Sequence, residues 1–242
     1  MSATVLEVDE LEVAYGPIQV LHGVSMAVRE GETLALLGTN GAGKSTLLKA
    51  IVGLAAATAG TIRWRGEALG AVPCERRARA GIMLVDGGHA VFPELTVADN
   101  LRAGCFSFGR DRRRVAARTD HVLELFPVLR ELRSRRAGSL SGGEQQMLAL
   151  AKGLLPEPRL LLIDELSLGL APVVVGQLMQ VVEQLAGAGM TIVVVEQSLN
   201  VALHLAQRAI FMEKGRVRFE GASADLLRRD DLARAVFLGA PA

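Results

Sequence analysis

The stretch that most constrains this chain is LLGTNGAGKST, residues 36–46. From Gly38 to Ser45 it fits the pattern G-x-x-x-x-G-K-[ST], directly after an apolar run that predicts a buried strand. Glycines let successive backbone N–H groups wrap an anion, because a Cβ would block the turn and the close approach. A helix beginning at Lys44 would point its positive N-terminus at the same anion. The pattern therefore predicts a phosphate-binding loop between a strand and a helix.

The side chains of this loop indicate a Mg²⁺-bound nucleoside triphosphate. We expect Lys44 to reach the β- and γ-phosphates and the Ser45 hydroxyl to bind Mg²⁺. The alternative is a glycine-rich turn without a ligand, but the strand before the loop and the helix after it favour phosphate binding. The residues expected to contact the nucleotide are Gly38, Thr39, Asn40, Gly41, Ala42, Gly43, Lys44, Ser45 and Thr46.

A second element of the same chemistry lies in LLLIDE, residues 160–165, where an apolar run ends in two acids. A carboxylate at the end of such a strand is the expected protein ligand of the nucleotide-bound Mg²⁺. We therefore expect Asp164 to hold the metal and Glu165 to polarise the attacking water. The alternative, an ordinary strand end with two solvated acids, is disfavoured by the phosphate-binding loop upstream.

The order of the predicted elements indicates an α/β fold. Residues 4–37 alternate or run apolar between turn signals, and strands alternate with helices again after the middle of the chain. The segment between has helical periodicity, with Thr96 and Ser141 as N-caps. We predict a mainly parallel sheet, an N-terminal antiparallel β part and a helical insertion. The expected division of one domain, 1–242, is a core of 1–93 and 156–242 with a helical part of 94–155.

Composition narrows the classes of protein that remain. Of the 242 residues half are hydrophobic, and a formal net charge of +1 gives no support for a nucleic-acid partner. Cys74 and Cys105 lack the spacing of a metal or redox pair, and the histidines show no ligand spacing. The N-terminus lacks the pattern of a signal peptide, and no apolar run approaches the roughly 20 residues of a membrane-spanning helix. We therefore expect any work at a membrane to depend on docking to another protein.

The LSGGEQQ segment, residues 140–146, resembles the signature sequence of ABC-transporter ATP-binding subunits. Combined with the phosphate-binding loop and the strand ending in Asp-Glu, the resemblance is specific and covers nearly the whole chain. It implies the P-loop NTPase fold of ABC ATPases, ATP and Mg²⁺ as cofactors, and a head-to-tail dimer that sandwiches two ATP molecules. Ser141, Gly142 and Gly143 would offer a hydroxyl and N–H groups at a helix N-terminus to the γ-phosphate of the partner's ATP.

Other positions resemble further parts of the family's site. Tyr15 falls where an aromatic ring stacks on adenine, although a plain strand aromatic also fits it. SLGLAP, residues 167–172, resembles the loop that crosses to the partner subunit. Gln197 stands at the switch position, which usually holds a histidine; glutamine can hydrogen-bond a γ-phosphate but cannot titrate. The resemblance therefore implies Glu165 and Gln197 as the catalytic residues.

One branch of the family is especially similar: the second, LivF-type ATP-binding subunit of branched-chain amino acid importers. The similarity lies in FPELTVADNL, SLGLAP, VEQS and the VFLG near the end of the chain. It implies an ATPase that energises import of Leu, Ile, Val or related solutes, with urea and short amides as the alternative. The implied partners are transmembrane permease subunits, a second ATPase subunit and, indirectly, a periplasmic or extracellular solute-binding protein. The implied location is the cytoplasmic face of the cell membrane, as a peripheral subunit.

The sequence departs from the family in the loop where a Gln or Glu approaches the metal and the attacking water. Gly87 stands there and has no side-chain ligand, so Asp86 is the neighbouring candidate. His89 and Ala90 replace a pair that is usually basic in this branch. Leu166 replaces the usual proline, which we expect to change loop stiffness. Docking to the permease is expected to use this loop and the insertion, around Phe92, Phe106 and Phe108.

Two other functions stay open at this point. A nucleotide-binding regulatory subunit with little hydrolysis is suggested by Gly87 and Gln197, whereas the intact Glu165 argues against it. A soluble ABC protein of translation or DNA repair would usually carry tandem cassettes or long coiled-coil insertions. A chain of 242 residues with one phosphate-binding loop leaves room for neither.

Overall fold

The structure, a computed structural model, describes residues 3–87, 90–109 and 111–226. His89 and the VFLG segment lie outside the described residues. The strands are β1 (Thr4–Tyr15), β2 (Ile18–Arg29), β3 (Thr33–Gly38), β4 (Ala59–Trp64), β5 (Glu67–Ala68), β6 (Ile82–Asp86), β7 (Leu160–Asp164), β8 (Thr191–Val195), β9 (Arg208–Glu213) and β10 (Arg216–Ala222). The helices are α1 (Lys44–Val52), α2 (Cys74–Arg79), α3 (Val97–Gly104), α4 (Arg112–Leu125), α5 (Pro127–Glu131), α6 (Gly142–Leu154), α7 (Pro172–Gly187), α8 (Leu199–Leu205) and α9 (Ser223–Leu226).

Six strands form the central sheet in the order β10-β9-β3-β8-β7-β6. The strands from β9 to β6 run parallel, and β10 joins β9 antiparallel. The register places Asp86 beside Asp164, and Asp164 beside Val195. Leu36 of β3 also lies beside Val195. The carboxyl ends of β3, β6, β7 and β8 therefore meet at one edge, where parallel sheets usually bind their ligands.

The central strands are covered on both faces, which explains their nearly continuous apolar sequence. Every residue of β7 and β8 is buried. Successive side chains of a strand point to opposite faces. Leu161 and Ile163 pack among the helices between α3 and α8, whereas Leu160 and Leu162 pack with α1 and the N-terminal strands. The sheet thus separates two hydrophobic cores and holds its carboxyl edge in place from both sides.

A second, antiparallel sheet has the order β2-β1-β4-β5. Its apolar face belongs to the same core as α1, and Trp64 of β4 is 6% exposed there. Strand β2 passes close to the turn before α1, since a Cβ added to Gly43 would lie 2.7 Å from the Leu21 side chain. The N-terminal sheet therefore supports the phosphate-binding loop from one side.

The chain between β6 and β7 is helical, as predicted. Thr96 caps α3, because its hydroxyl accepts a hydrogen bond from the Asp99 N–H at 3.1 Å. Ser141 caps α6, whose buried side packs against α3 and β6. The predicted mainly parallel sheet, antiparallel β part and helical insertion are confirmed. Among the residues that the structure describes, no helix combines the length and apolarity needed to cross a bilayer.

Candidate functional site

The loop between β3 and α1 requires glycine at two positions. Gly38 has a φ of 150°, and a Cβ there would overlap the carbonyl oxygen of Met212. Gly43, with a φ of 94°, is the N-cap of α1 and lies against Leu21. Because no side chain caps the first turn of α1, its N–H groups are available to an anion. The loop therefore has the backbone of a phosphate site.

Lys44 brings a buried positive charge to this loop. The residue is 6% exposed, and its Nζ donates to the carbonyl oxygens of Gly38 at 2.9 Å and Thr39 at 3.0 Å. Burial lowers the pKa of Lys44, and the carboxylates of Glu165 and Asp164 act in the opposite direction. An ammonium group held mainly by neutral carbonyls is incompletely compensated for its desolvation. A phosphate entering the loop would supply the missing negative charge.

An acid-rich cleft opens at the carboxyl edge beside the loop. Burial raises the pKa of Asp164; a hydrogen bond from Ser45 lowers it. The nearby Asp86 and Glu165 raise that pKa further through charge repulsion, and Lys49 lowers it. Oδ1 of Asp164 is buried without a hydrogen-bond partner. The residues that line this cleft are Ser45, Lys49, Asp86, Gly87, Asp164 and Glu165.

These features fit a divalent cation bound together with a nucleotide. The orphaned oxygen of Asp164 and the crowded carboxylates both favour a positive charge in the cleft. Within the described residues, no group of three or more His, Cys, Asp or Glu side chains is placed to hold a metal ion. The protein would therefore supply part of the ligand set, through Ser45 and Asp164. This is the usual arrangement for Mg²⁺, which binds through one or two carboxylates plus substrate phosphates.

Glu165 and Gln197, predicted as the catalytic residues, lie in direct contact. Nε2 of Gln197 donates to Oε1 of Glu165 at 2.5 Å. Glu165 has a φ of 58°, which is uncommon for a residue other than glycine, and its N–H bonds to the carbonyl of Val195 at 3.1 Å. From α6, Nε2 of Gln146 reaches the carbonyl oxygen of Glu165 at 3.4 Å. Glu165 is thus held by groups from β8, from the loop after β8 and from α6.

The signature residues Ser141, Gly142 and Gly143 are arranged differently. Ser141 and Glu144 form a capping box: the Glu144 carboxylate accepts from the Ser141 N–H at 2.7 Å, and the Ser141 hydroxyl accepts from the Glu144 N–H at 3.3 Å. In the described part of this chain, none of the three signature residues lines the cleft that contains Ser45. Gly142 lines a neighbouring cavity together with Gly87 and Glu165.

Tyr15 lies at the end of β1 and is 50% exposed, opposite Ile18 in the β1–β2 hairpin. An exposed ring at this tip is accessible for stacking, and its role stays a prediction. Asn40 and Gly41 are exposed at the top of the phosphate-binding loop, and Thr46 is partly buried in the first turn of α1. The carbonyl oxygen of the buried Ala42 accepts from the Gly215 N–H at 3.1 Å, which ties the loop to the β9–β10 turn.

Gly87 is tightly packed at this edge. Its N–H donates to the carbonyl oxygen of Asp164 at 3.1 Å, and an added Cβ would lie 2.8 Å from that same oxygen. Asp86, one residue earlier, lines the acid-rich cleft, and its carboxylate lies 3.9 Å from Nζ of Lys49. Asp86 is therefore placed to supply the carboxylate that Gly87 lacks.

Two residues of this site were not predicted from the sequence. Gln146 contacts Glu165 from α6. It ends the LSGGEQQ segment, in which only Ser141, Gly142 and Gly143 were predicted as site residues. Glu196 is 1% exposed and binds Ser167. A signal for Glu196 did exist, because an acid directly after five buried strand residues, one position before Gln197, is unlikely to be an ordinary solvated side chain.

Comparison with known proteins agrees with this geometry. Residues 21–167 match the family described as ABC transporter. The chain is 46% identical to the high-affinity branched-chain amino acid transport ATP-binding protein BraG of Pseudomonas aeruginosa, over 97% of this chain and 99% of the relative. It is 34% identical to the probable branched-chain amino acid transport ATP-binding protein LivF of Archaeoglobus fulgidus, over 91% of this chain and 93% of the relative. A solved structure of the ATP-binding subunit of an ABC transporter superposes with a TM-score of 0.83 at 29% identity, covering 96% of this chain and 98% of the other.

The fold and the site together define a P-loop ATPase, in which a phosphate-binding loop faces a carboxylate pair at the edge of a parallel sheet. The chain belongs to the ABC transporter family, as one of its ATP-binding subunits. The predicted family, fold class and ATPase activity are thereby confirmed. Subunits of this kind bind ATP, dimerise and work with transmembrane permeases.

Proposed function

We propose that this protein hydrolyses Mg²⁺-bound ATP to drive the import of branched-chain amino acids. The observation that carries the catalytic part is the hydrogen-bonded pair of Glu165 and Gln197 beside Ser45 and Asp164. The choice of solute is supported by the names of the relatives BraG and LivF, which match nearly the full chain. In this proposal residues 1–242 form one ATP-binding domain, with 1–93 and 156–242 as its core and 94–155 as a helical part.

The nucleotide is bound by the residues from Gly38 to Thr46, with Tyr15 stacking on the adenine. The first-turn N–H groups of α1 and the Lys44 ammonium surround the phosphates, because both offer positive potential in a place that is partly shielded from water. Ser45 and Asp164 would hold the Mg²⁺, which would supply positive charge to neutralise the phosphates. The unpartnered Oδ1 of Asp164 supports this role.

Glu165 orients the attacking water and accepts its proton. Gln197 donates to the Glu165 carboxylate at 2.5 Å, so the carboxylate is already held in one orientation before a substrate arrives. The amide of Gln197 can also donate to the γ-phosphate, since its two hydrogens permit two bonds. The barrier to phosphoryl transfer falls mainly through such positioning and charge compensation.

A second ATPase subunit, identical or not, completes the site. Ser141, Gly142 and Gly143 would contact the γ-phosphate of the partner's ATP, which agrees with their absence from the lining of the cleft that contains Ser45. Leu168 is 61% exposed and Val173 is 75% exposed next to this region. Large apolar side chains that are exposed together favour a protein–protein contact.

The protein works at the cytoplasmic face of the membrane through contact with permease subunits. Phe92 and Phe106 are 52% and 46% exposed near the start and end of α3, which supports a docking role. Phe108 is only partly exposed and is a weaker candidate. A solute-binding protein outside the membrane would be linked to this subunit only through the permease.

The test uses a Pseudomonas aeruginosa strain that lacks BraG and receives this chain instead. We expect uptake of radiolabelled leucine, isoleucine and valine to be restored by the wild-type chain and not by Glu165→Gln or Lys44→Ala. Co-purification with the membrane fraction controls for assembly with the permease. If the chain is assembled but leucine uptake stays absent, the proposed solute is wrong. If Glu165→Gln transports as well as the wild type, the proposed catalytic role of Glu165 is wrong.

A further inference from the structure

The loops that follow β7 and β8 are joined by two side-chain bridges. In the first, Gln197 donates to Glu165. In the second, the carboxylate of Glu196 accepts from the Ser167 hydroxyl at 2.7 Å and from the Ser167 N–H at 3.1 Å. Neighbouring residues of one loop thus bind two residues of the other, Glu165 and Ser167, that are two positions apart. Neither Glu196 nor Ser167 lines the cleft that contains Ser45 and Asp164.

Glu196 is a buried acid surrounded by neutral donors. It is 1% exposed, its carboxylate is hydrogen-bonded by Ser167, and the backbone N–H groups of Gln197 and Leu166 also lie close to it. Burial raises the pKa of Glu196, while these hydrogen bonds lower it. A buried carboxylate is costly unless its oxygens are well satisfied, and hydrogen bonds to a charged acceptor are stronger than neutral ones. The four donors are therefore held firmly around one point.

Two of those donors directly follow the proposed catalytic base. Leu166 N–H and Ser167 N–H are the next two peptide groups after Glu165, whose φ of 58° is a strained conformation for a glutamate. Such a conformation persists only when the surroundings determine it. Beyond this point the chain becomes exposed at Leu168. The carboxylate of Glu196 thus lies where the ordered edge of the sheet changes into an exposed loop.

We propose that Glu196 is a positioning residue for ATP hydrolysis, which holds the backbone after Glu165 so that the Glu165 side chain stays in place beside Gln197. The residue acts through Glu165 and does not touch the nucleotide. Its loss leaves ATP binding intact, because the phosphate-binding loop is formed by β3 and α1. The chemical step suffers, since a carboxylate displaced by about 1 Å can lose as much as 10²-fold in rate.

The kinetic test compares three substitutions in the purified protein. Glu196→Gln keeps the shape of the side chain but places an NH₂ group against a hydrogen-bond donor. Ser167→Ala removes only the hydroxyl group of the bridge, whereas Ser167→Thr keeps a hydroxyl group there. We expect Glu196→Gln to lower kcat about tenfold or more with KM for ATP changed less than about twofold. Ser167→Ala should give a smaller loss of about three- to fivefold in kcat, and Ser167→Thr should retain most of the wild-type rate. Glu183→Gln, a change of an exposed acid paired with His204, is the matched control.

Amide hydrogen exchange without nucleotide provides a readout that does not depend on activity. In Glu196→Gln we expect faster exchange at the N–H groups of Leu166 and Ser167, and unchanged exchange at Leu162 inside β7. Ser167→Ala should change exchange less, because the Ser167 N–H keeps its carboxylate partner. If Glu196→Gln is too unstable to purify, the contrast between Ser167→Ala and Ser167→Thr still tests the bridge.

The kinetic and exchange measurements can each overturn the proposed role of Glu196. A wild-type kcat in both Glu196→Gln and Ser167→Ala would overturn it, as would a raised KM with unchanged kcat. Unchanged exchange at Leu166 and Ser167 would also overturn it, because the bridge would then not hold this backbone. Leucine uptake has no part in these measurements, so a failure of the proposed solute would leave the outcome for Glu196 intact.

Discussion

Two helix N-termini of this protein are proposed to face phosphate, and they are built in opposite ways. α1 begins after Gly43, which has no side chain to cap it, and carries the buried Lys44 ammonium in its first turn. α6 begins after Ser141, whose capping box with Glu144 satisfies the N–H groups of these two residues within the chain itself. The first turn of α1 has no acidic side chain, whereas the first turn of α6 contains the carboxylate of Glu144.

This difference predicts separate functions for the N-termini of α1 and α6. The α1 end is a binding site, because its N–H groups and its cation all gain from a phosphate. At the α6 end the capping box uses the N–H groups of Ser141 and Glu144 and leaves those of Gly142 and Gly143 for a ligand, but an approaching phosphate meets the negative charge of Glu144. We infer that ATP binds firmly to one chain first. The contact with the signature residues of a second chain is then weaker and more easily reversed.

The largest expected effect removes the base beside the α1 end. Glu165→Gln should lower the rate of ATP hydrolysis at least about 100-fold, because a positioned general base typically contributes 10²–10⁴-fold. ATP binding should stay unchanged, so the ATP-bound dimer should persist. Phosphate release and size-exclusion chromatography with ATP measure the two quantities, with Glu183→Gln as control. More than half of the wild-type rate in Glu165→Gln would rule out the assigned role.

The next effect tests the contrast between the two ends directly. Lys44→Ala should weaken binding of Mg²⁺-ATP to the dilute, monomeric chain by about 10- to 100-fold, as expected for a lost charge-assisted contact of about 1.5–3 kcal/mol. Ser141→Ala should change the same affinity less than about twofold, because Ser141 does not line that cleft. Titration with a fluorescent ATP analogue measures both. Equal losses in the two variants would mean that one chain brings both ends to the same nucleotide.

A smaller effect separates capping from charge at α6. Ser141→Ala should lower the free energy of unfolding by about 1 kcal/mol through loss of the N-cap. Glu144→Gln should leave stability nearly unchanged, since glutamine also serves in a capping box. The glutamine should however favour ATP-driven dimerisation by a few fold, because a negative charge is removed from the phosphate-facing end. Urea unfolding and sedimentation check these values; weaker dimerisation in Glu144→Gln would contradict the inferred repulsion.

The smallest effect concerns Lys152, a half-buried lysine of α6. Nζ of Lys152 donates to the carbonyl of Ala90 at 2.6 Å and lies 4.0 Å over the Phe92 ring. Burial lowers the pKa of Lys152 from 10.5 to about 8. Between these two values the unfolded chain binds more protons than the folded one, so the contribution to stability rises as the pH increases through 8 and levels off above 10.5.

We therefore expect the free energy of unfolding of the wild type to rise relative to Lys152→Met between pH 7 and pH 10. Lys152→Arg is the control, because arginine stays charged throughout this range and should lack the rise. Denaturant unfolding at several pH values measures the difference. If the difference in free energy of unfolding between the wild type and Lys152→Met does not vary with pH, burial does not lower the pKa of Lys152.

Local sequence patterns were sufficient to predict the secondary structure around the proposed ATP site. The phosphate-binding loop, the acids after β7 and the caps Thr96 and Ser141 each depend on residues within a few positions of one another. Backbone geometry over such a short span follows from glycine freedom, strand apolarity and capping chemistry. The class of fold followed in the same way, since strands alternating with helices imply a parallel sheet.

Contacts between distant segments depended on the tertiary structure. Glu196 meets Ser167 across 29 positions, and Lys152 meets Ala90 across 62. Neither pair follows from local patterns, because which polar side chain becomes buried, and against which partner, is set by how the strands and helices pack. The same holds for Gly87, whose close contact with the Asp164 carbonyl exists only because β6 and β7 lie side by side in register. The chemistry of the ATP site is thus encoded locally, and its alignment is determined by the packing of the sheet edge.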